Sequence, residues 1–266
     1  MTHLPETVNM MKKTHSKYAL IIGGSSGLGL ATAHKLASEG FDLCIVYRDR
    51  KSNAAINEAA FEKMRSKGVS ILNFNKDALK EETINEVLEQ LPKKSISVLV
   101  HSIAKGSLKS MASETGMLSK ADLDITIHAM GTSWWLWVSS CIKAGVFASQ
   151  VRNIAFTSEG NQKVWAGYGA VSAAKATLEA LMRQMAVELA PQGISTNCIQ
   201  AGVTQTPSFA MIPGSEQLAA MAEKRNPFKR LTQPEDVANA VFVLTLPESQ
   251  WVNGNVLKVD GGESLR

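Results

Sequence analysis

A doubly wound parallel α/β sheet of about seven strands, held in one domain, is the fold this sequence predicts. Three observations point to it. Short apolar runs alternate with helix-period segments along the 266-residue chain. The runs are rich in Val, Ile and Leu, as strands covered on both faces are. A glycine-rich turn joins the first strand to the first helix.

Strands are expected at 18–22, 41–47, 69–74, 96–101, 153–157, 194–199 and 256–259. Helices are expected between them at 27–39, 51–67, 80–91, 119–143, 169–190 and 234–246. Pro234 before Glu235-Asp236 marks a helix start, and Gly193 follows the helix that ends near Pro191. Regular β-α alternation implies right-handed crossovers. The span 202–233 holds Pro207, Pro213, Gly214 and Pro227 and reads as a long irregular flap, either a lid or disordered. Residues 1–17 form a polar tail without a signal-peptide core and are expected to be mobile, leaving 18–266 as the folded domain.

Composition removes several function classes. A 45% hydrophobic, 20% charged chain is ordinary for a soluble globular protein. Its net charge of +4, with no run of five or more Lys/Arg, argues against nucleic acid and leaves room for an acidic partner. Cys44, Cys141 and Cys198 lie far apart in apolar contexts. They read as buried thiols of a reducing, cytoplasmic compartment, with no disulfide or metal framework. No apolar run approaches the roughly 18 residues a membrane span needs.

The turn Gly23-Gly24-Ser25-Ser26-Gly27-Leu28-Gly29 follows a strand and opens a helix. There glycines permit a tight turn and close backbone approach to a pyrophosphate, and the helix start offers free N–H groups. The turn does not separate NAD, NADP and FAD. At the end of the second strand stands Tyr47-Arg48-Asp49-Arg50-Lys51. Cations outnumber the carboxylate, so NADPH is expected, with Arg48 at the 2′-phosphate; NADH and a solvated charge cluster remain open.

Tyr168 precedes Lys175 by seven residues in Tyr-Gly-Ala-Val-Ser-Ala-Ala-Lys. At four residues a Lys would sit one turn away and acidify the phenol directly. At seven the two lie about 10 Å apart along a continuous helix. Lys175 then reaches Tyr168 only through something between them, such as a bound ribose.

These features resemble the short-chain dehydrogenase/reductase superfamily, with its Rossmann-type sheet, and within it the enoyl-acyl-carrier-protein reductases. The resemblance runs from Tyr18 to Leu265. It rests on the glycine turn, Val98-Leu-Val-His101-Ser102-Ile103-Ala104, the Tyr-x6-Lys pair, Asn197-Cys-Ile-Gln-Ala201-Gly202 and Asn255-Val-Leu-Lys-Val-Asp260-Gly261-Gly262. His-Ser-Ile-Ala replaces the superfamily's usual Asn-Asn-Ala-Gly. Tyr-x6-Lys replaces its usual Tyr-x3-Lys, and Val171 fills the ordinary Tyr position.

The resemblance implies that Tyr168 donates to the thioester oxygen while Lys175 binds the nicotinamide ribose. It places Asp77 and Ala78 at the adenine, and Ser102, Ile103, Ala104, Gly202, Val203, Thr204 and Thr206 around the rest of the cofactor. Ser158 aligns with the superfamily's catalytic Ser and keeps ketone reduction open as a rival; a non-catalytic dinucleotide sensor is a third reading. Thr126 replaces the expected Asn of the proton relay, with His128 nearby; Ile22 replaces a Thr and Ala201 a Pro. Phe209, Met211, Ile212, Leu218 and Met221 are candidates for an acyl channel or for plain core. Lys224-Arg225 and Lys229-Arg230 form either a dock for acidic carrier protein or a solvated patch, and the thioester carrier is acyl-carrier protein or CoA. Trp134, Trp135 and Trp137 suit a homotetramer interface or intrachain packing.

Overall fold

The computed structural model describes residues 17–112, 114 and 116–266. The expected tail, apart from Lys17, lies outside the described residues. Seven strands form one sheet: β1 (Tyr18–Ile22), β2 (Asp42–Tyr47), β3 (Ile71–Asn75), β4 (Ile96–His101), β5 (Phe147–Thr157), β6 (Ile194–Ala201) and β7 (Val256–Val259). Their order is β3-β2-β1-β4-β5-β6-β7, and every neighbouring pair is parallel. The chain therefore winds outward from β1 to β3, crosses back to β4 and winds the other way. That reversal opens a crevice at the carboxyl ends of β1 and β4.

Nine α-helices are described: α1 (Gly27–Ser38), α2 (Ala54–Arg65), α3 (Glu81–Glu89), α4 (Lys120–Ile127), α5 (Ser133–Ala144), α6 (Gly169–Glu188), α7 (Pro207–Ala210), α8 (Ser215–Arg225) and α9 (Pro234–Thr245). Two cores lie on opposite faces of the sheet. Leu20 and Ile22 of β1 pack with residues of α3, α5 and α6. Ala19 and Ile21 pack on the other face with residues of α1, α2 and α9. This is the period-two consequence of a strand covered on both sides.

Four elements differ from the sequence expectation. The long fourth helix is broken: α4 gives way to a wide π-type turn, His128–Thr132, before α5 begins. At this turn Gly131 meets α6 so closely that a Cβ would sit 3.1 Å from the Ala174 carbonyl oxygen. Strand β5 starts earlier than expected, because exposed Ser149 and Gln150 carry no apolar signal and a register shift separates Ile96–Phe147 from Val98–Arg152 pairing. The segment 51–67 opens with a 3-10 turn at Lys51–Asn53. The supposedly irregular flap contains α7 and α8. Pro207 starts a helix here instead of breaking one, with the Thr206 hydroxyl accepting from the Phe209 amide.

The tryptophan cluster is divided by the helix that carries it. Trp134 and Trp137 are fully buried within the chain. Their Nε1 atoms donate to Asn153 Oδ1 at 2.7 Å and to the Ala78 carbonyl at 2.9 Å. Only Trp135, 41% exposed, is left at the surface. The three cysteines are free and buried. Replacing Trp137 by Phe leaves the Ala78 carbonyl without its donor and opens a void; urea unfolding should show a loss of about 1–3 kcal/mol. An unchanged midpoint would mean that this bond contributes nothing.

Candidate active site

The carboxyl ends of β1, β4, β5 and β6 open into one cleft of about 1620 Å³. Its floor is set by glycines. Gly23 has φ +94°, and a Cβ there would lie 2.5 Å from the Ser102 carbonyl oxygen. Only a residue without a side chain fits so near the neighbouring strand. A Cβ on Gly29 would lie 2.0 Å from the Gly23 carbonyl oxygen, so Gly29 seats α1 against the turn. Gly29 itself does not line the cleft, whereas Gly23, Ser25, Ser26, Gly27 and Leu28 do. No side chain caps the start of α1 and no acidic residue occupies its first turn. Its amides and positive dipole end are thus available to an anion at the cleft wall.

At the far end, two predicted cofactor contacts meet each other. Arg48 Nη1 lies 2.8 Å from Asp77 Oδ2, and Asp77 Oδ1 also accepts from the Leu79 amide at 3.1 Å. Arg48, Asp77 and Ala78 all line the cleft. Asp49 turns away toward the start of α2. Its carboxylate accepts from the Arg50 amide, Asn53 Nδ2 and Asn57 Nδ2 at 2.8, 2.7 and 3.1 Å. Burial pushes its pKa up, but these hydrogen bonds outweigh burial and leave it below the usual carboxylate range. The carboxylate of the turn is therefore already engaged, while the exposed Arg48 guanidinium faces the cleft mouth.

Tyr168 caps α6, standing just before the helix instead of within it. Its hydroxyl is 3.3 Å from Ser158 Oγ. Its ring lies against Gly160, where a Cβ would fall 2.3 Å from the ring's Cε1. Burial raises the phenol above its ordinary pKa, and the Ser158 hydrogen bond offsets this in part. Lys175, on α6, is buried and donates to the Phe156 carbonyl at 2.7 Å. Burial lowers its ammonium to about 8, against smaller upward pulls from Cys198 and Glu179. Phenol and ammonium thus have separate partners, as the seven-residue spacing predicts.

The expected relay positions serve other purposes. Thr126 Oγ1 donates to the Asp122 carbonyl and accepts from the Ser107 amide at 2.7 and 2.9 Å, pinning the loop after β4. His128 is exposed and meets Thr132 Oγ1 at 3.2 Å. His101 is buried, with Nε2 2.8 Å from Ser133 Oγ, which itself donates to the Ala129 carbonyl. Ser133 therefore accepts from Nε2–H. Burial, with the Lys175 charge, depresses this imidazole to about 3 and keeps it neutral. His101 thereby holds the wide turn beside the cleft.

Ser102, Ile103, Ala104, Gly202, Val203, Thr204 and Thr206 line the cleft. The Val203 amide, however, is taken by Glu263 Oε2 at 3.1 Å. Phe209, Met211, Ile212, Leu218 and Met221 line the same cleft. Met211 and Met221 are 73% and 64% exposed, so these two are not core. The basic patch is divided: its two arginines are paired with carboxylates, while Lys224 and Lys229 are exposed. Arg225 binds Glu159 and Glu263, Arg230 binds Asp236, and Lys229 Nζ donates to the Lys224 carbonyl. Sequence reasoning missed Gly160, Glu159, Trp165 and Glu263 as parts of the site. Only adjacency to Ser158 could have pointed to the first two.

Residues 23–264 match the family model described as enoyl-(acyl carrier protein) reductase. The chain belongs to that family, within the short-chain dehydrogenase/reductase superfamily of oxidoreductases. It is 28% identical over 254 residues to a subunit of a hydroxy(phenyl)methylsuccinyl-CoA dehydrogenase of Thauera aromatica, covering 94% of this chain and 97% of that one. It is 26% identical to the 3-oxoacyl-acyl-carrier-protein reductase of Aquifex aeolicus, covering 94% and 98%. Among solved structures, a short-chain dehydrogenase of Burkholderia cenocepacia in complex with NADP superposes with TM-score 0.79 at 25% identity, covering 95% of this chain and 100% of that one. The enoyl-acyl-carrier-protein reductase (NADH) of Aquifex aeolicus superposes with TM-score 0.81 at 22% identity, covering 95% and 98%, and shares the fold.

The buried Lys175 has a pH signature. Its folded pKa of about 8 lies below the ordinary lysine value of 10.5, so the folded state holds fewer protons between those values. Stability of the cofactor-free protein should therefore rise with pH from about 8 to 10.5, recovering about 3 kcal/mol of the cost of burying the charge. Urea unfolding at pH 7 and 9.5 should show Lys175→Met more stable than the parent at pH 7, with the gap shrinking at 9.5. A gap independent of pH would refute the assignment.

Proposed function

We propose that this protein is an NADPH-dependent enoyl-acyl-carrier-protein reductase, acting on trans-2-enoyl thioesters in fatty acid elongation. The observation that carries the reading is the placement of Tyr168, with Val171 in the superfamily's usual Tyr position and Lys175 bonded to Phe156 instead of the phenol. A carbonyl reductase needs a phenol acid enough to release its proton to an alkoxide. An enoyl reductase needs a phenol that stays protonated and donates to a thioester oxygen as negative charge gathers there. Tyr168, buried and raised in pKa, suits the second task.

NADPH would supply the hydride that the β-carbon receives. Tyr168 holds the thioester oxygen by its O–H while the α–β π pair moves toward that oxygen, and Ser158 Oγ, 3.3 Å away, is a second donor. The α-carbon then takes a proton from solvent, completing the saturated thioester. Lys175 would donate to ribose hydroxyls, and the amides at the start of α1 to the pyrophosphate. The residues favour NADPH over NADH because the Asp49 carboxylate is held by Asn53 and Asn57, while Arg48, paired with Asp77, stays exposed at the cleft with donors left for a 2′-phosphate. Acyl-carrier protein or acyl-CoA is the proposed carrier, and Met211, Met221, Phe209 and Ile212 wall the acyl side. A cytoplasmic homotetramer, with Trp135 among its surface contacts, completes the reading.

A second reading has its own support. The Ser158–Tyr168 hydroxyl pair could both grip a ketone oxygen, and the Aquifex relative at 26% identity is named a 3-oxoacyl reductase. NADPH and NADH oxidation should be followed with crotonyl-CoA and acetoacetyl-CoA. Turnover of crotonyl-CoA, with NADPH preferred, is expected. Turnover of acetoacetyl-CoA alone establishes the ketone reading, and of neither a cofactor-binding sensor. Tyr168→Phe should lower kcat by about 100-fold while leaving NADPH affinity nearly unchanged.

A further inference from the structure

Arg225 ends α8, the last helix of the flap, and lines the cleft. Its guanidinium joins three segments distant in sequence. Nη2 lies 3.1 Å from Glu159 Oε2, in the turn directly after Ser158. The same nitrogen lies 2.6 Å from Oε1 of Glu263, near the C-terminus, whose side chain is only 2% exposed. Glu263 Oε2 in turn accepts from the Val203 amide, at the end of β6. Gly202 must lack a side chain for this, since a Cβ would sit 2.9 Å from that oxygen.

One arm of the junction leads to the phenol. Glu159 opens the short 3-10 turn Glu159–Asn161, and the middle residue of that turn is Gly160. The Tyr168 ring rests on Gly160 so closely that even a methyl group would collide with it. A shift of the turn therefore moves the surface against which the ring is seated. The flap is tied to the same loop a second time, by Trp165 Nε1 donating to the Pro213 carbonyl at 3.1 Å.

We infer that Arg225 is a positioning residue: through Glu159 it fixes the Gly160 shelf, and so sets where the Tyr168 hydroxyl meets the substrate. This deepens the proposed reductase reading and rests on it for the reaction, but not for the geometry. A misplacement of about 1 Å at a reacting group can cost about 100-fold in rate, so a partly loosened shelf should be visible in kcat.

Glu159→Gln is the informative change, because it weakens this arm while leaving Arg225 paired with the buried Glu263. Glu159 also pairs with Lys163, so Lys163→Met, expected to leave kcat within about twofold, is its control. Removing Arg225 outright would strand that carboxylate, so Arg225→Lys is the second variant. Glu159→Gln should lower kcat about tenfold, with NADPH affinity within about twofold. In a Tyr168→Phe background the same change should alter kcat less than about twofold, because its effect passes through the phenol. Arg225→Lys should fall between parent and Glu159→Gln. Equal losses in both backgrounds would overturn the inference. A substrate-free readout separates this from the choice of reaction: in 3-fluorotyrosine-labelled protein, the ¹⁹F resonance absent from Tyr168→Phe should shift or broaden in Glu159→Gln. Movement of that resonance with no thioester turnover would sink the reductase reading and keep the shelf. An unmoved resonance would sink the shelf.

Discussion

The contact on which the site depends is the close approach of two backbones at the sheet's reversal. The Ser102 amide donates to the Ile22 carbonyl at 2.7 Å, and Gly23 passes so near Ser102 that a Cβ would be 2.5 Å from its oxygen. Because β1 and β4 are neighbours whose onward chains leave in opposite directions, no element covers their carboxyl ends. The cleft follows from that topology, and the α1 amides face it because α1 must start there. Everything chemical is then hung on the adjacent strand ends: Ser158 after β5, Gly202 and Val203 after β6, and Lys175 on the helix between them.

Buried charge is the second constraint. Lys175 keeps its ammonium out of water with one carbonyl bond, an arrangement that costs stability unless a ligand adds acceptors. His101 avoids the same cost by remaining neutral. Glu263 is stabilised by Arg225 and by the Val203 amide, and so links the C-terminal turn, the flap and a cofactor-side strand end. The pairings that are made favour one arrangement of loops over alternatives, while His101 Nδ1 and Arg225 Nε stay buried without a partner among the described residues.

Much of this was legible in the chain. The central strands were visible because both of their faces are covered, which makes their Val, Ile and Leu content nearly continuous, whereas the edge strands β3 and β7 are only partly buried. Gly23, Gly27 and Gly29 were legible because their spacing between a strand and a helix has one common physical use. The break in the fourth helix was not: His128–Thr132 keeps helical composition, and the cause is Gly131 packing on α6 from elsewhere in the sequence. The flap misled in the opposite direction, because Pro207 and Pro213 read as breakers although Pro207 is a good first residue of a helix. In Lys224-Arg225 and Lys229-Arg230, adjacency in sequence hides the arginines' partners at Glu159, Glu263 and Asp236, while the two lysines stay exposed.

The sequence by itself determined the layered fold, the glycine turn between β1 and α1 and the Tyr168–Lys175 spacing, since each is written in local spacing and composition. The tertiary structure decided which side chains are already engaged. Asp49 is turned from the cleft by Asn53 and Asn57, Lys175 is bonded to Phe156, and Arg225 is drawn inward by two carboxylates. Hydrogen bonds and ion pairs act over about 3 Å, and the partners in the last two cases are 19 to 66 residues away in sequence. A linear pattern can name such residues, but only the folded chain brings their partners within reach.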